Sequence, residues 1–395
     1  MSPIWAPAIL WSAAPFVYLI RRWATGAALL ASAASLAAAG VFIAVPPGLE
    51  ASFLGRPLLF DPLRGSLLSA ILVGMPVLFL FSSRVAEGWS FAPFALVSLG
   101  AIAAAALAES LLLAALLMEI SGLVVVFLIQ GGPERRTGAA TGFLIAWTLA
   151  LPPLALASWI ADQVALQPDD AGMIRLGAAL LALGMGLLLG AVPFHGYLAG
   201  MASSAPPTVT ALFLTALQAV VLVVLVGQLE TGPWLMAAGA GGILLVGGGV
   251  SVLGGGLLAL MRPSPGRLLA YAAAADLGVI LVGLGTLSAG GVSGALSHLF
   301  PRTLAIWSVA MAWSLMRHVA GTHDDLLPRG AARWAPWLAI AYLLGGLALA
   351  GVPPLGTFVT RWGIYGAVSE QAPGLAALLL AGSLAVAWAY AREVV

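Results

Sequence analysis

With 395 residues, 62% of them hydrophobic, 8% charged and a net charge of +1, the chain is far too apolar for an ordinary soluble domain, in which about a quarter of residues are charged. It has no cysteine, so thiolate metal sites, iron–sulfur ligation and disulfides within the chain are excluded. The basic residues are scattered, which leaves no nucleic-acid face.

A membrane span needs about 20 apolar residues. In chain order the apolar runs fall at 4–20, 24–45, 65–83, 91–108, 111–129, 138–161, 176–194, 206–229, 233–261, 268–286, 294–315, 334–352 (continuing to about 367) and 373–390. That pattern predicts an all-α polytopic membrane protein of about 13 transmembrane helices. No basic region precedes the first run, so it reads as a span and not as a cleaved signal. The Gly/Ala spacing at 239–256 suits close helix–helix approach in lipid. Internal packing explains it better than a dimer motif.

Two runs are interrupted by proline. In GMGLLLGAVPFHGYLAGMASSAPPTV (184–209) the apolar pattern stops at Pro193, carries His195 through a small-residue interval and resumes at Ala205-Pro206-Pro207. The second break, AGVPPLGTFVTRW, lies at 350–362. Proline removes a helix donor and clashes with the preceding turn. Inside a bilayer the freed carbonyls must be satisfied by protein or trapped water, and broken helices of this kind mark ion or substrate paths in transporters.

The basic residues set orientation. If spans alternate, eleven arginines, including Arg21, Arg22, Arg135, Arg136, Arg262, Arg329 and Arg392, collect on one side, against Arg56, Arg64 and Arg175 on the other. The acidic loop residues, among them Glu50, Asp61 and Glu109, share the side with three. The expectation is a multi-pass protein of the cell inner membrane, its amino terminus extracytoplasmic and its carboxyl terminus cytoplasmic. All sixteen basic residues are arginine. A GC-rich coding bias explains the choice, yet arginine does not release its proton in proteins.

Candidate functional residues are the polar ones inside spans. Glu119 has nine uncharged residues before it and fourteen after. A lone carboxylate at that depth costs several kcal/mol unless protonated, paired or hydrated. It is either a proton carrier or a carboxyl hydrogen-bonded to a neighbouring helix. Asp276 lies nine residues past Arg267, about 13 Å along a helix, and is either functional or a partner for Arg302. His298 and Arg302 are spaced i,i+4 and share a helix face, and histidine relays protons near neutrality. His195 and Arg361 follow the two breaks, where each either caps freed carbonyls or lines a wet half-channel. No Walker loop, dinucleotide fingerprint, HExxH motif or hydrolytic acid pair is present. Neither a metal site nor a cofactor is expected, and no autonomous catalysis.

Several phrases together resemble the proton-conducting antiporter-like membrane subunits of respiratory complex I, membrane-bound hydrogenases and Mrp-type antiporters. They are LLFDPLRGSLL (58–68), the Glu119 segment, VPFHGYLAGMASSAPPTVTAL (192–212), GRLLAYAAAADLGVILVGL (266–284) and LALAGVPPLGTFVTRWGIY (347–365). The resemblance implies two inverted five-helix repeats, each with a broken helix. The corresponding division is 1–90 (three amino-terminal helices), 91–230 (first repeat) and 231–395 (second repeat). It also implies a polar axis in which Glu119 matches the family's fifth-helix glutamate and His298 a histidine of helix eleven. Arg302 stands where a second histidine often appears, and Asp276 where many members carry histidine or glutamine. The lysines of helices seven, eight and twelve fall at Leu188, Gln218 and Arg361.

Leucine and glutamine cannot exchange protons as lysine does, so the implied path through Glu119, His195, Gln218, Asp276, His298, Arg302 and Arg361 is incomplete. Transfer is then weak, rerouted through Asp276, His298 and water, or absent. The functional reading is an antiporter-like subunit of a complex I-, hydrogenase- or Mrp-type assembly, translocating protons, or cations against protons, in step with a partner. Its expected partners are other membrane subunits, a peripheral redox or zinc-containing protein, and the lipid bilayer. Three alternatives remain: a membrane partner for a zinc-containing inorganic-carbon uptake protein, a non-conducting scaffold, and, more distantly, a standalone carrier.

Overall fold

The computed structural model describes residues 2–48, 51–53, 55–85, 88, 90–131, 137–261, 264–321 and 330–394. Among them, ten helical segments, with Thr137–Leu166 and Pro207–Thr231 each taken as one, are long and apolar enough to cross a membrane, and three shorter apolar helices accompany them. Arg135, Arg136, Arg262, Arg329 and Glu50, used above for orientation, lie outside the described residues.

In chain order the first helices are α1 (Trp5–Leu19), α2 (Ala24–Ala44), α3 (Pro62–Ser82), α4 (Phe91–Leu107), α5 (Leu111–Gln130), α6 (Thr137–Thr148), α7 (Leu151–Leu166) and α8 (Ala171–Leu189). Next come α9 (Gly196–Ser204), α10 (Pro207–Leu212), a π-helical turn at Phe213–Leu217, α11 (Gln218–Thr231), α12 (Pro233–Ala237) and α13 (Ala240–Leu260). The last are α14 (Pro265–Gly285), α15 (Ala289–Ala320), α16 (Ala331–Trp334), α17 (Pro336–Ala350), α18 (Gly356–Gln371) and α19 (Pro373–Val394).

Local chemistry explains several boundaries. Asp61 caps α3 by accepting from the Arg64 amide at 2.7 Å, with Pro62 in the first turn, where its missing donor costs nothing. Ser288 caps α15 through the Gly291 amide at 3.1 Å, and that helix ends on left-handed Gly321 with Arg317 and His318 in its last turn.

Four details depart from the sequence reading. The run at 138–161 divides into α6 and α7, where Pro152 and Pro153 sit in the first turn of α7 and donate nothing to the turn before. The run at 233–261 divides at Gly239, whose φ is +76°. α15 extends to 32 residues with Pro301 inside it. Between α2 and α3 a small antiparallel hairpin, β1 (Ala51–Phe53) and β2 (Arg56–Leu58), pairs Ala51 with Leu58. Both proline breaks are present, α8 giving way to α9 and α17 to α18.

The chain forms two compact units. One comprises Met1–Met185 and Ala216–Pro233, the other Gly186–Thr215 and Trp234–Val395. In the first, α2 packs on α3 and α1 on α4, and Trp147 donates to the Met118 carbonyl at 2.9 Å, fixing α6 against α5. In the second, α13 and α14 touch backbone to backbone. A Cβ on Gly248 would meet the Gly278 carbonyl oxygen at 2.6 Å, and one on Gly255 the Tyr271 carbonyl oxygen at 2.7 Å. The glycine-rich run is thus used inside the unit, where α14 is almost entirely buried.

Candidate functional site

The second unit holds four of the residues singled out from the sequence in one cluster. Asp276 on α14, His298 and Arg302 on α15 and Arg361 on α18 are each at most 1% exposed. The i,i+4 spacing on α15 presents the imidazole and one guanidinium together. α18, which follows the second break, supplies the other guanidinium. Asp276 Oδ2 accepts from Arg302 Nε at 2.8 Å, and Oδ1 lies 2.8 Å from His298 Nε2. Arg361 Nη2 also donates to Oδ1.

Each arginine does a second job. Arg302 Nη1 donates to the Leu214 carbonyl in the π turn, where the helical ladder is interrupted. Arg361 donates to the last carbonyls of α17, from Nη1 to Ala350 at 2.8 Å and from Nη2 to Leu349. Thr357 adds a bond to the Ala348 carbonyl at 2.5 Å. The second break is therefore closed by protein, and its carbonyls look at a fixed cation.

Three further hydroxyls join the cluster. Thr360 Oγ1 is 2.7 Å from His298 Nδ1. Ser383 on α19 accepts from Arg361 Nη1 at 2.9 Å and lies 3.3 Å from the Tyr365 hydroxyl. Sequence reasoning missed Thr357, Thr360, Tyr365 and Ser383. Their only sequence signal is nearness to Arg361 or a place on the next helix.

His195 stands at the start of α9, its ring edge-on to Tyr271 with centroids 5.9 Å apart, and its Nδ1 has no hydrogen-bond partner among the described residues. Two carbonyls at the end of α8 are met by another side chain. Tyr197 donates to those of Leu187 and Leu188, at 2.9 and 3.0 Å. Capping here belongs to a neutral phenol, and the Leu188 side chain is buried.

In the first unit Glu119 is half-buried on α5 and accepts from the Thr148 hydroxyl of α6 at 2.6 Å. Leu116, Ile120 and Leu123 around it are exposed. Gln218, fully buried, opens α11 directly after the π turn. Among the described residues no group of His, Asp and Glu is arranged to hold a metal ion.

Chemically, the cluster joins one carboxylate to two cations that keep their protons. One imidazole between carboxylate and hydroxyl is the only member suited to gain and lose a proton near neutrality.

A family model described as NADH:quinone oxidoreductase/Mrp antiporter, TM matches residues 108–386. Formate hydrogenlyase subunit 3 of Escherichia coli (strain K12) is 32% identical over 291 residues, covering 68% of this chain and 46% of that protein. NADH-quinone oxidoreductase subunit N of Rhodococcus opacus (strain B4) is 28% identical over 269 residues, covering 65% and 47%. The chain thus spans about half the length of these curated relatives.

Among solved structures, respiratory complex I from Thermus thermophilus with bound NADH contains a chain superposing with a TM-score of 0.84 at 22% identity, over 100% of this chain and 88% of that one. The Mrp complex from Dietzia sp. DQ12-45-1b gives 0.88 at 21% identity, over 100% and 47%. These two share the fold.

Proposed function

The chain belongs to the NADH:quinone oxidoreductase/Mrp antiporter transmembrane family, and on that premise we propose that it translocates protons, or cations against protons, as one membrane subunit of a larger assembly. The observation that carries the reading is the buried set Asp276, His298, Arg302 and Arg361, assembled where a helix is broken. Ionisable groups in that position are costly and are characteristic of ion and proton routes. Glu119 is the corresponding candidate in the first unit, His195 and Gln218 are weaker ones, and the two inverted repeats are the frame the proposal uses.

The protein works in this proposal within a multi-pass arrangement of the inner membrane, amino terminus outside and carboxyl terminus inside. Other membrane subunits are its neighbours, and a peripheral redox or zinc-containing protein drives or uses the flux. A scaffold role is the second reading. It is favoured by Leu188, an aliphatic side chain beside the first break, and by an Asp276 already committed to three donors.

The test is proton flux in the native assembly reconstituted into vesicles, with the copurifying subunits identified by mass spectrometry. Neutralising Glu119, Asp276 and His298 together is expected to abolish coupled flux. Normal coupling in that variant removes the transport reading and leaves the scaffold.

A further inference from the structure

We propose that Thr360 is the relay hydroxyl of the second unit: the exchangeable proton of the buried cluster sits on Nδ1 of His298 and comes and goes through Thr360 Oγ1. This rests on the reading that the cluster handles protons. Two guanidiniums that retain their protons flank Asp276, Arg302 on Oδ2 and Arg361 on Oδ1, so the acid is a carboxylate and only accepts. Nε2 of His298, 2.8 Å from Oδ1, must then carry a hydrogen in every state. All variation is left to Nδ1.

Nδ1 lies 2.7 Å from Thr360 Oγ1, and Oγ1 lies 3.0 Å from the Thr357 carbonyl oxygen. These two distances admit two complete arrangements. When Nδ1 is bare, the Thr360 hydroxyl donates to it. When Nδ1 is protonated, it donates to Oγ1, and the hydroxyl hydrogen turns to the Thr357 carbonyl. Neither arrangement leaves a buried polar atom orphaned, so the exchange avoids that desolvation penalty. Uptake is one balanced step: the Thr360 O–H bond breaks as Nδ1–H forms, while a hydronium arriving from the aqueous side gives its proton to Oγ1 and leaves as water. Release is the reverse.

Placement agrees. Thr360 is partly exposed, whereas Asp276, His298, Arg302 and Arg361 are sealed. It lies on the seam between α15 and α18, where a Cβ on Gly294 would stand 3.1 Å from the Thr360 carbonyl oxygen, so glycine sets the closeness of the two helices. The groups facing His298 are Asp276 from α14, Arg302 from its own helix, and Arg361 with Thr360 from α18. α10 carries no titratable residue, and α17 carries only Tyr342.

Thr360→Val keeps the shape and removes the hydroxyl, while Thr360→Ser keeps the hydroxyl. The full chain, labelled with nitrogen-15 histidine and placed in lipid, has four histidines, and His298→Gln identifies the relevant signals. The expected wild-type spectrum shows Nε2 protonated and Nδ1 a hydrogen-bonded acceptor that becomes protonated as pH falls. Thr360→Val moves the Nδ1 signal to that of an unbonded acceptor, and Thr360→Ser does not. In the reconstituted assembly, Thr360→Val is expected to slow proton flux about a hundredfold, the lower range for a positioned proton-transfer group, with serine restoring it. A neutral tautomer protonated on Nδ1, or wild-type flux in the valine variant, overturns the relay. A wild-type assembly that moves no protons overturns the transport reading itself, a result that the spectra distinguish from the other two.

Discussion

Asp276 and Glu119, both acids within apolar helices, have opposite surroundings. Asp276 is sealed and faces three donors, while Glu119 is half-buried and accepts a single hydroxyl. Removing one partner of a buried ion pair leaves an uncompensated charge, which typically costs about 3–5 kcal/mol. Asp276→Asn, which strands Arg302 and Arg361, is therefore expected to lower stability by that order in detergent unfolding. Glu119→Gln still offers an oxygen to Thr148 and should change stability by less than about 1 kcal/mol. A comparable loss for both variants contradicts the assigned environments.

The acids, His298 and both arginines were legible because each is a charge-bearing group inside an apolar run. Hydroxyls carry no such mark, since in these helices many simply bond their own backbone one turn back, as Ser32 and Thr303 do. Thr360 and Ser383 look the same in sequence and differ only in what faces them.

The two breaks were legible as elements, but their closure was not. Pro193 and Pro353-Pro354 announce an interruption, yet nothing local says that Tyr197 closes one and Arg361 the other. The division between α6 and α7 is marked by Pro152-Pro153. The π turn at Phe213–Leu217 has no comparable local marker, and the Leu214 carbonyl there meets Arg302 from a helix far along the chain. Two glycines test the importance of the second break. Gly351 has φ +74°, and a Cβ on it would lie 2.6 Å from Arg361 Nη1; Gly321 has φ +65° and nothing within 4 Å. Alanine at either costs about 1–2 kcal/mol for the left-handed backbone. Gly351→Ala must also displace Arg361 from its carbonyls, so it is expected to be clearly the more destabilising in thermal unfolding, and the only one of the pair to impair flux. Equal effects in both assays would detach Arg361 from the break.

At the level of the entire protein, hydropathy alone announced a bundle of spanning helices, whereas the division into two compact units did not follow from it. That division depends on which faces meet, and apolar helices of similar composition do not advertise their partners. Orientation is open to a direct check because the chain has no cysteine of its own. A single cysteine replacing Ser2 is expected to react with an impermeant thiol reagent added outside intact cells. One replacing Ala391 is expected to react only after the inner face is opened. The reverse pattern would invert the topology drawn from the arginines.

The glycine contacts between α13 and α14 have a mechanical corollary. Two helices whose main chains meet without clearance for a methyl group cannot shear past one another or part locally without breaking that fit. They must travel as a single post, and Asp276 is mounted on it. The start of α15 is tied to the same post, since a Cβ on Gly291 would meet the Gly283 carbonyl oxygen at 2.7 Å, so the carboxylate shifts only together with the helices it is pinned to.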